Sequence, residues 1–199
     1  MRLENSLPGS ISHTRMLPPG RVLQLPANQL NFSQSAVLVL LFPCEEQIMT
    51  CLIRRPSTMK NHAGQIAFPG GKQEKEDQNL VQTALREAKE EIGLVTDQVH
   101  ILGLLSPVYV QVSNFLITPV VGWMNSAPEI VIDPSEVDEA ILISLAEIVD
   151  QENRCDREVE TWTGRIHVPG YCIRDCFIWG ATAMLLTELA DVSREIPQL

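Results

Sequence analysis

The chain has 199 residues, 45% hydrophobic and 20% charged. That is a globular composition sized for one domain, whose core needs neither a disulfide nor a metal to fold. Fifteen Lys and Arg against 25 Asp and Glu give a formal charge of −10, which argues against broad binding to nucleic acid or to anionic membranes.

A small phosphate compound remains compatible with that charge, because a local basic cluster or a metal ion reverses the local sign. No apolar run approaches the ~20 residues of a membrane span, and no basic-then-apolar leader opens the chain. The five cysteines, Cys44, Cys51, Cys155, Cys172 and Cys176, are odd in number and scattered. They read as buried or free thiols of a cytoplasmic protein. Cys172 and Cys176 with His167 lack both a zinc spacing and a fourth ligand.

Residues 1–34, rich in Pro, Ser, Asn and Gly, read as an irregular arm laid on a domain spanning 35–199. Ala36 to Phe42 reads as a buried strand ended by Pro43, and Gln47 to Arg54 as its hairpin partner. Residues 56–71 carry few strand or helix signals, and Pro69-Gly70-Gly71 is a strong breaker. From Asn79 to Ile92 the pattern is helical, with Leu80, Ala84, Leu85 and Ala88 on one apolar face and Gly93 as C-terminal cap. Strands are expected at His100–Leu105, Val108–Val112 and Ile117–Trp123. Ser135 to Ser144 opens acidic and then runs apolar, and Leu145 to Asp150 reads as a short helix. Thr161–His167 and Tyr171–Ile173 read as a late hairpin around a Gly or Pro-Gly turn, and Phe177 to Leu189 as a second, well-buried helix. Trp123, Trp162 and Trp179 are better explained as core or interface than as stacking platforms.

Chemistry concentrates between Gly70 and Leu94. Glu87, Glu90 and Glu91 occupy neighbouring positions on one side of the expected helix. Like charges in the last turns of a helix are disfavoured by its dipole, so these acids are either solvated or hold a cation. Arg86 and Glu90, four apart, can also pair. Gly70-Gly71 lets the backbone approach a ligand. Carboxylates with a backbone carbonyl, here that of Gly70, suit a hard cation such as Mg²⁺, which typically takes one or two carboxylates plus phosphate oxygens. Loop, helix and acids together point to metal-assisted chemistry on a phosphate.

These residues resemble the Nudix box of Nudix hydrolases: Gly71, then Arg86-Glu87, Glu90-Glu91 and Gly93-Leu94. The stretch from Arg86 to Leu94 matches throughout. Upstream it departs, with Asp77 in place of a Glu and eight residues instead of seven before Arg86. Leu52-Ile53-Arg54-Arg55, Lys60 and His62-Ala63-Gly64-Gln65-Ile66-Ala67-Phe68-Pro69-Gly70-Gly71-Lys72 are similar to the signature that precedes the box in coenzyme A pyrophosphatases. Phe177-Ile178-Trp179-Gly180-Ala181-Thr182-Ala183 extends the likeness. Ile53, Pro56 and Lys60 stand where Thr, a small residue and Arg are usual, and Lys60 keeps charge without bidentate geometry.

The resemblance implies an α/β/α sandwich with a mixed β-sheet and hydrolysis of a nucleoside diphosphate joined to another group. Coenzyme A or its thioesters would yield 3′,5′-ADP and 4′-phosphopantetheine or its acyl form. Glu87, Glu90 and Glu91, with Gly70, would hold Mg²⁺ or Mn²⁺, and Arg86 would hold the acids. The general base would be a box glutamate, or Glu136 or Glu139, which otherwise read as an acid cluster opening a following helix. Arg54, Arg55, Lys60 and Lys72 would receive phosphates, while His62 and Gln65 would brace the loop or touch substrate. ADP-ribose or NADH is the rival substrate, and a non-catalytic nucleotide-binding regulator is the rival of another class. A homodimer is compatible with the resemblance.

Overall fold

The computed structural model describes residues 7–23, 31–57, 63–161 and 164–194. In chain order they form α1 (Ser10–Thr14), β1 (Ser33–Cys44), β2 (Gln47–Arg54), β3 (Ile66–Ala67), β4 (Gly70–Lys72) and α2 (Leu80–Ile92). There follow β5 (His100–Leu104), β6 (Val108–Val110), β7 (Phe115–Trp123), β8 (Glu139–Ser144), α3 (Leu145–Val149), β9 (Arg154–Thr161), β10 (Gly164–Ile173), β11 (Cys176–Trp179) and α4 (Gly180–Arg194).

β1 is the spine. Its period of two sends Ala36, Leu38, Leu40 and Phe42 into a core shared with Ala84, Ala88 and Ile92 of α2. Val39 and Leu41 face the opposite core, built with Leu185, Leu186 and Leu189 of α4. One strand thus lines both cores, and its residues read as a continuous apolar run. β1 pairs in parallel with β7, from Ser33 opposite Phe115 to Leu41 opposite Trp123. It pairs antiparallel with β2 and β4. β2 continues to β3 and β8, and β7 to β5 and β6. The sheet is therefore mixed and lies between α2 and α4, as the expected α/β/α sandwich requires. A second sheet, β9, β10 and β11, is antiparallel and joins the α4 side through Tyr171, Ile173 and Ile178. Among the described residues no helix is long and apolar enough to cross a membrane.

Several boundaries differ from expectation. β1 runs through Pro43 to Cys44. Its pairing with β7 ends at Leu41, so the missing proline N–H falls where that side has no ladder to complete. The loop before Lys72 contains two short strands, β3 and β4. Pro169-Gly170 is not a turn but lies inside β10. Gly170 faces Trp179, and a Cβ there would come within 2.7 Å of the Phe177 ring. Residues 176–179 form β11 rather than the start of the last helix, which begins at Gly180 with φ +65°. Glu136 and Glu139 do not open a helix, since Glu139 begins β8. Cys155 and Cys172 are joined in a disulfide across β9 and β10, against the free-thiol reading, while Cys44, Cys51 and Cys176 are free.

The arm is anchored by a buried carboxylate. Glu188 of α4, fully buried, accepts from the Gly9 amide at 3.1 Å and the Ser106 amide at 3.1 Å. His13 Nε2 lies 2.8 Å away. A buried carboxylate is tolerated only with such donors, and these come from the arm, α1 and the segment between β5 and β6. Glu188→Ala would strand two amides and a histidine. It is expected to cost about 3 kcal/mol, read as a lower urea midpoint at unchanged slope. A loss below about 1 kcal/mol would refute the anchoring role.

Candidate active site

α2 is well specified at both ends. The Asn79 side chain accepts from the Gln82 amide at 3.0 Å. At the other end Gly93, with φ +66°, donates to the Lys89 carbonyl, and Leu94 donates to that of Ala88, so the helix closes on a left-handed glycine cap. This fixes the rotation of the helix. Ala84, Ala88 and Ile92 enter the core, and Glu87 and Glu91 turn toward β4.

The two glycines of β4 make room for them. A Cβ on Gly71 would fall 2.6 Å from Glu87 Oε1, and one on Gly70 would fall 2.6 Å from Val37 Cα. The Gly70 amide donates to Glu91 Oε2 at 2.8 Å. Among the described contacts of this loop it is thus the N–H of Gly70 that meets an acid. Glu91 is 3% exposed. Its other oxygen lies 3.9 Å from Arg55 Nη1.

Arg86 organises the rest. Its Nε and Nη2 donate to the two oxygens of Asp77 at 3.0 and 2.9 Å, and Nη2 also reaches the Lys72 carbonyl at 3.1 Å. Nη1 donates to Glu87 at 2.8 Å and Glu90 at 3.0 Å. Asp77 further accepts from the Glu74 amide and the Thr83 hydroxyl. The Arg86 bonds hold its carboxyl down at about 2, and Arg86 itself is raised above its ordinary value, chiefly by Asp77. Asp77 was not among the expected site residues. The signal for it was its place six residues after Gly71, obscured by the shorter side chain and the extra residue before Arg86.

The remaining expected residues divide. Burial pushes the Glu87 and Glu91 carboxyls up, and the charge of Glu136 adds a smaller push to both. The segment before it is docked on the end of α2, with the Val131 amide on the Ile92 carbonyl and the Asp133 amide on that of Glu91. Glu139 is instead opposite Arg54 in the β2–β8 register and accepts from its Nε at 2.9 Å. Arg54 Nη2 lies 3.6 Å from Cys176 Sγ, so Arg54 is engaged on both sides. Arg55 has a buried Nε without a partner, and its backbone is braced by the Gln65 carbonyl and the Gly64 amide. The Lys72 side chain is exposed. Lys60, His62 and Trp162 lie outside the described residues.

Among the described residues no three His, Cys, Asp or Glu side chains converge closely enough to enclose a metal alone. The donor chemistry nevertheless fits a divalent cation that shares its coordination with substrate oxygens. Burial raises Glu87, and it pushes Glu91 up to about 8, with Glu87 and Glu136 adding to the rise against the pull of the Gly70 amide and Arg55. Carboxylates crowded in this way are short of positive charge.

Two predictions follow from this geometry. Folded Glu91 keeps a proton that the unfolded chain gives up near its ordinary value of 4.5. Metal-free stability is therefore full below that value and falls as pH rises towards about 8. Melting temperatures in chelator across this range should fall in the wild type and flatten in Glu91→Gln; a flat wild-type profile would refute the burial of this charge. Asp77→Ala should cost about 2 kcal/mol by removing two charged hydrogen bonds and should lower activity by loosening Arg86. Unchanged turnover in a folded Asp77→Ala would sink that positioning role.

A NUDIX domain family model matches residues 32–163. The chain is 34% identical over 170 residues to the uncharacterized Nudix hydrolase NudL of Pectobacterium atrosepticum, covering 84% of this chain and 88% of the relative. It is 32% identical over 172 residues to that of Photorhabdus laumondii, covering 85% and 91%. In fold it is similar to the Nudix hydrolase RenU of M. smegmatis, with a TM-score of 0.60 and 19% identity over 90% of this chain and 99% of that one. The glycine strand, the acid-bearing helix and these likenesses together place the chain in the Nudix hydrolase family.

Proposed function

We propose that the chain hydrolyses the diphosphate of coenzyme A or its thioesters, releasing 3′,5′-ADP and 4′-phosphopantetheine or its acyl form, with Mg²⁺ or Mn²⁺ as cofactor. The observation that carries the reading is the buried Glu91 held by the Gly70 amide at the glycine strand, with the Arg55 guanidinium 3.9 Å from it. The coenzyme A part rests on the stretch from Leu52 to Lys72, which leads Arg54 and Arg55 up to that strand.

Each residue then has a task. Glu87 and Glu91, joined by Glu90 if Arg86 releases it, would hold the cation. When bound, the metal neutralises the diphosphate and makes a coordinated water more acidic. Glu136, exposed and just beyond the segment docked on the end of α2, would take the proton from the attacking water. Glu139 is spent on Arg54 and would orient it. Arg55, with an unpartnered Nε, would receive a phosphate oxygen, which a planar fork of donors suits. Attack of water on one phosphorus breaks the bridging P–O bond and leaves two phosphomonoesters.

The test is product chromatography with Mg²⁺ or Mn²⁺ on coenzyme A, dephospho-coenzyme A, ADP-ribose and NADH. Release of 3′,5′-ADP, preferred over cleavage of the dephosphorylated form, is the expected result. AMP from ADP-ribose or NADH with coenzyme A intact would keep the hydrolase and discard the substrate. Glu91→Gln should lower kcat by about 10²- to 10⁴-fold with its fold preserved, and full turnover in this variant would overturn its role. Glu136→Gln should lose activity while Glu139→Gln keeps most of it; the reverse order would exchange their tasks.

A further inference from the structure

The arginines of this acidic chain mostly have their own carboxylates. Arg54 has Glu139, Arg86 has Asp77, Arg165 has Glu158 and Arg174 has Glu147. On the opposite side of the main sheet from α2, two arginines share one acid, and a third has no acid paired with it among the described residues. Arg15, just after α1, pairs with Asp191 Oδ2, which also accepts from the Ser12 hydroxyl at 2.5 Å. Arg194, in the last turn of α4, reaches Asp191 Oδ1 at 3.3 Å and the Val149 carbonyl at 2.6 Å. Arg154, at the start of β9, has Nε and Nη2 buried without a hydrogen-bond partner among the described residues. It stands opposite Tyr171, whose hydroxyl is bonded to Thr187 one turn before Asp191.

Arg194 has an ordinary explanation, since a cation suits the end of a helix, and Arg15 ties the arm to α4. Arg154 has none. A guanidinium half withdrawn from water with two nitrogens unpaired is costly. Its neighbours make this worse, because Arg15 is held below its ordinary value first by burial and then by Arg154 and Arg194. Glu188, one turn earlier on α4, is no remedy, as its oxygens already face two amides and His13. Two forks on one carboxylate, with a third fork across from Tyr171 that lacks hydrogen-bond partners, leave an excess of donors, which an anion with several acceptor oxygens would satisfy.

We propose that Arg15, Arg154 and Arg194 form a second anion site, for a phosphate group, where the arm crosses the end of α4. The ligand chemistry is a tetrahedral phosphate, supplied as the free ion or as the end of a phosphomonoester. Its occupation ties arm, hairpin and helix together, so it stabilises the docked arm rather than taking part in hydrolysis.

The test uses the full metal-free chain and inorganic phosphate, titrated at constant ionic strength against chloride. The melting temperature should rise with phosphate along a saturating curve. Arg154→Met, which keeps an apolar stem in place, should abolish the rise. Arg55→Gln, which removes the cation proposed to receive a phosphate at the α2 site, should leave it intact. Because Arg154→Met could fail to fold, Arg194→Gln at a half-exposed position serves as a second variant and should weaken the rise at least fivefold in half-saturating concentration. No rise in the wild type, a rise retained in both arginine variants, or a rise lost in Arg55→Gln would each overturn the proposal. Repeating the titration with AMP in Arg55→Gln separates the sources: tighter saturation by AMP assigns a phosphomonoester, and equal or weaker saturation assigns the free ion.

Discussion

The guanidinium of Arg86 donates to Asp77, Glu87, Glu90 and the Lys72 carbonyl, and so connects three pieces of chain through one side chain. Asp77 belongs to the turn entering α2, Lys72 ends the glycine strand, and the two glutamates lie on the helix. An arginine can do this because its fork is rigid and always charged; a lysine has neither the reach in two directions nor the planarity. The orientation of Glu87 above Gly71 follows from this brace. Without it the last turns of α2 would carry three like charges with little to oppose them.

The scaffold that receives this brace is a sheet covered on both faces. β1 contributes side chains to both cores and pairs with β4, which brings Gly70 and Gly71 beneath α2. The site therefore rests on the interior of the molecule rather than on an independent loop. Glu91 shows the cost of that placement. Burial raises its proton affinity despite the Gly70 amide that opposes the rise, and that rise is what a cation would relieve.

What the sequence disclosed depended on whether the information was local. α2 was legible because period, cap and terminating glycine agree over one short stretch, and β2 because its hairpin partner is adjacent. Gly170 misled, since a glycine required by a neighbouring ring looks the same in sequence as a glycine required by a turn. β11 was absorbed into the helix because Phe177-Ile178-Trp179 is apolar without a period, and only the positive φ of Gly180 separates the two. In the site, the acids of α2 were legible from their spacing. The engagement of Glu139 by Arg54 was not, because it depends on a strand register that sets the two opposite each other. Asp77 lay in view, but its bond to Arg86 spans nine positions and exists only once the turn has formed.

The parallel pairing of β1 with β7 has a consequence for how the molecule is made. Ser33 and Phe115 meet across a long intervening segment, and that segment includes β2, β4 and all of α2. A ribosome must have released β7 before the central strand can find this neighbour, and closing so long a loop is slow compared with winding a helix. The acid-bearing helix can form early, but its seat against β1 is complete only when the late strand arrives. Competence for chemistry and completion of the sheet should therefore emerge together during synthesis, leaving no partly folded chain that already holds the finished site.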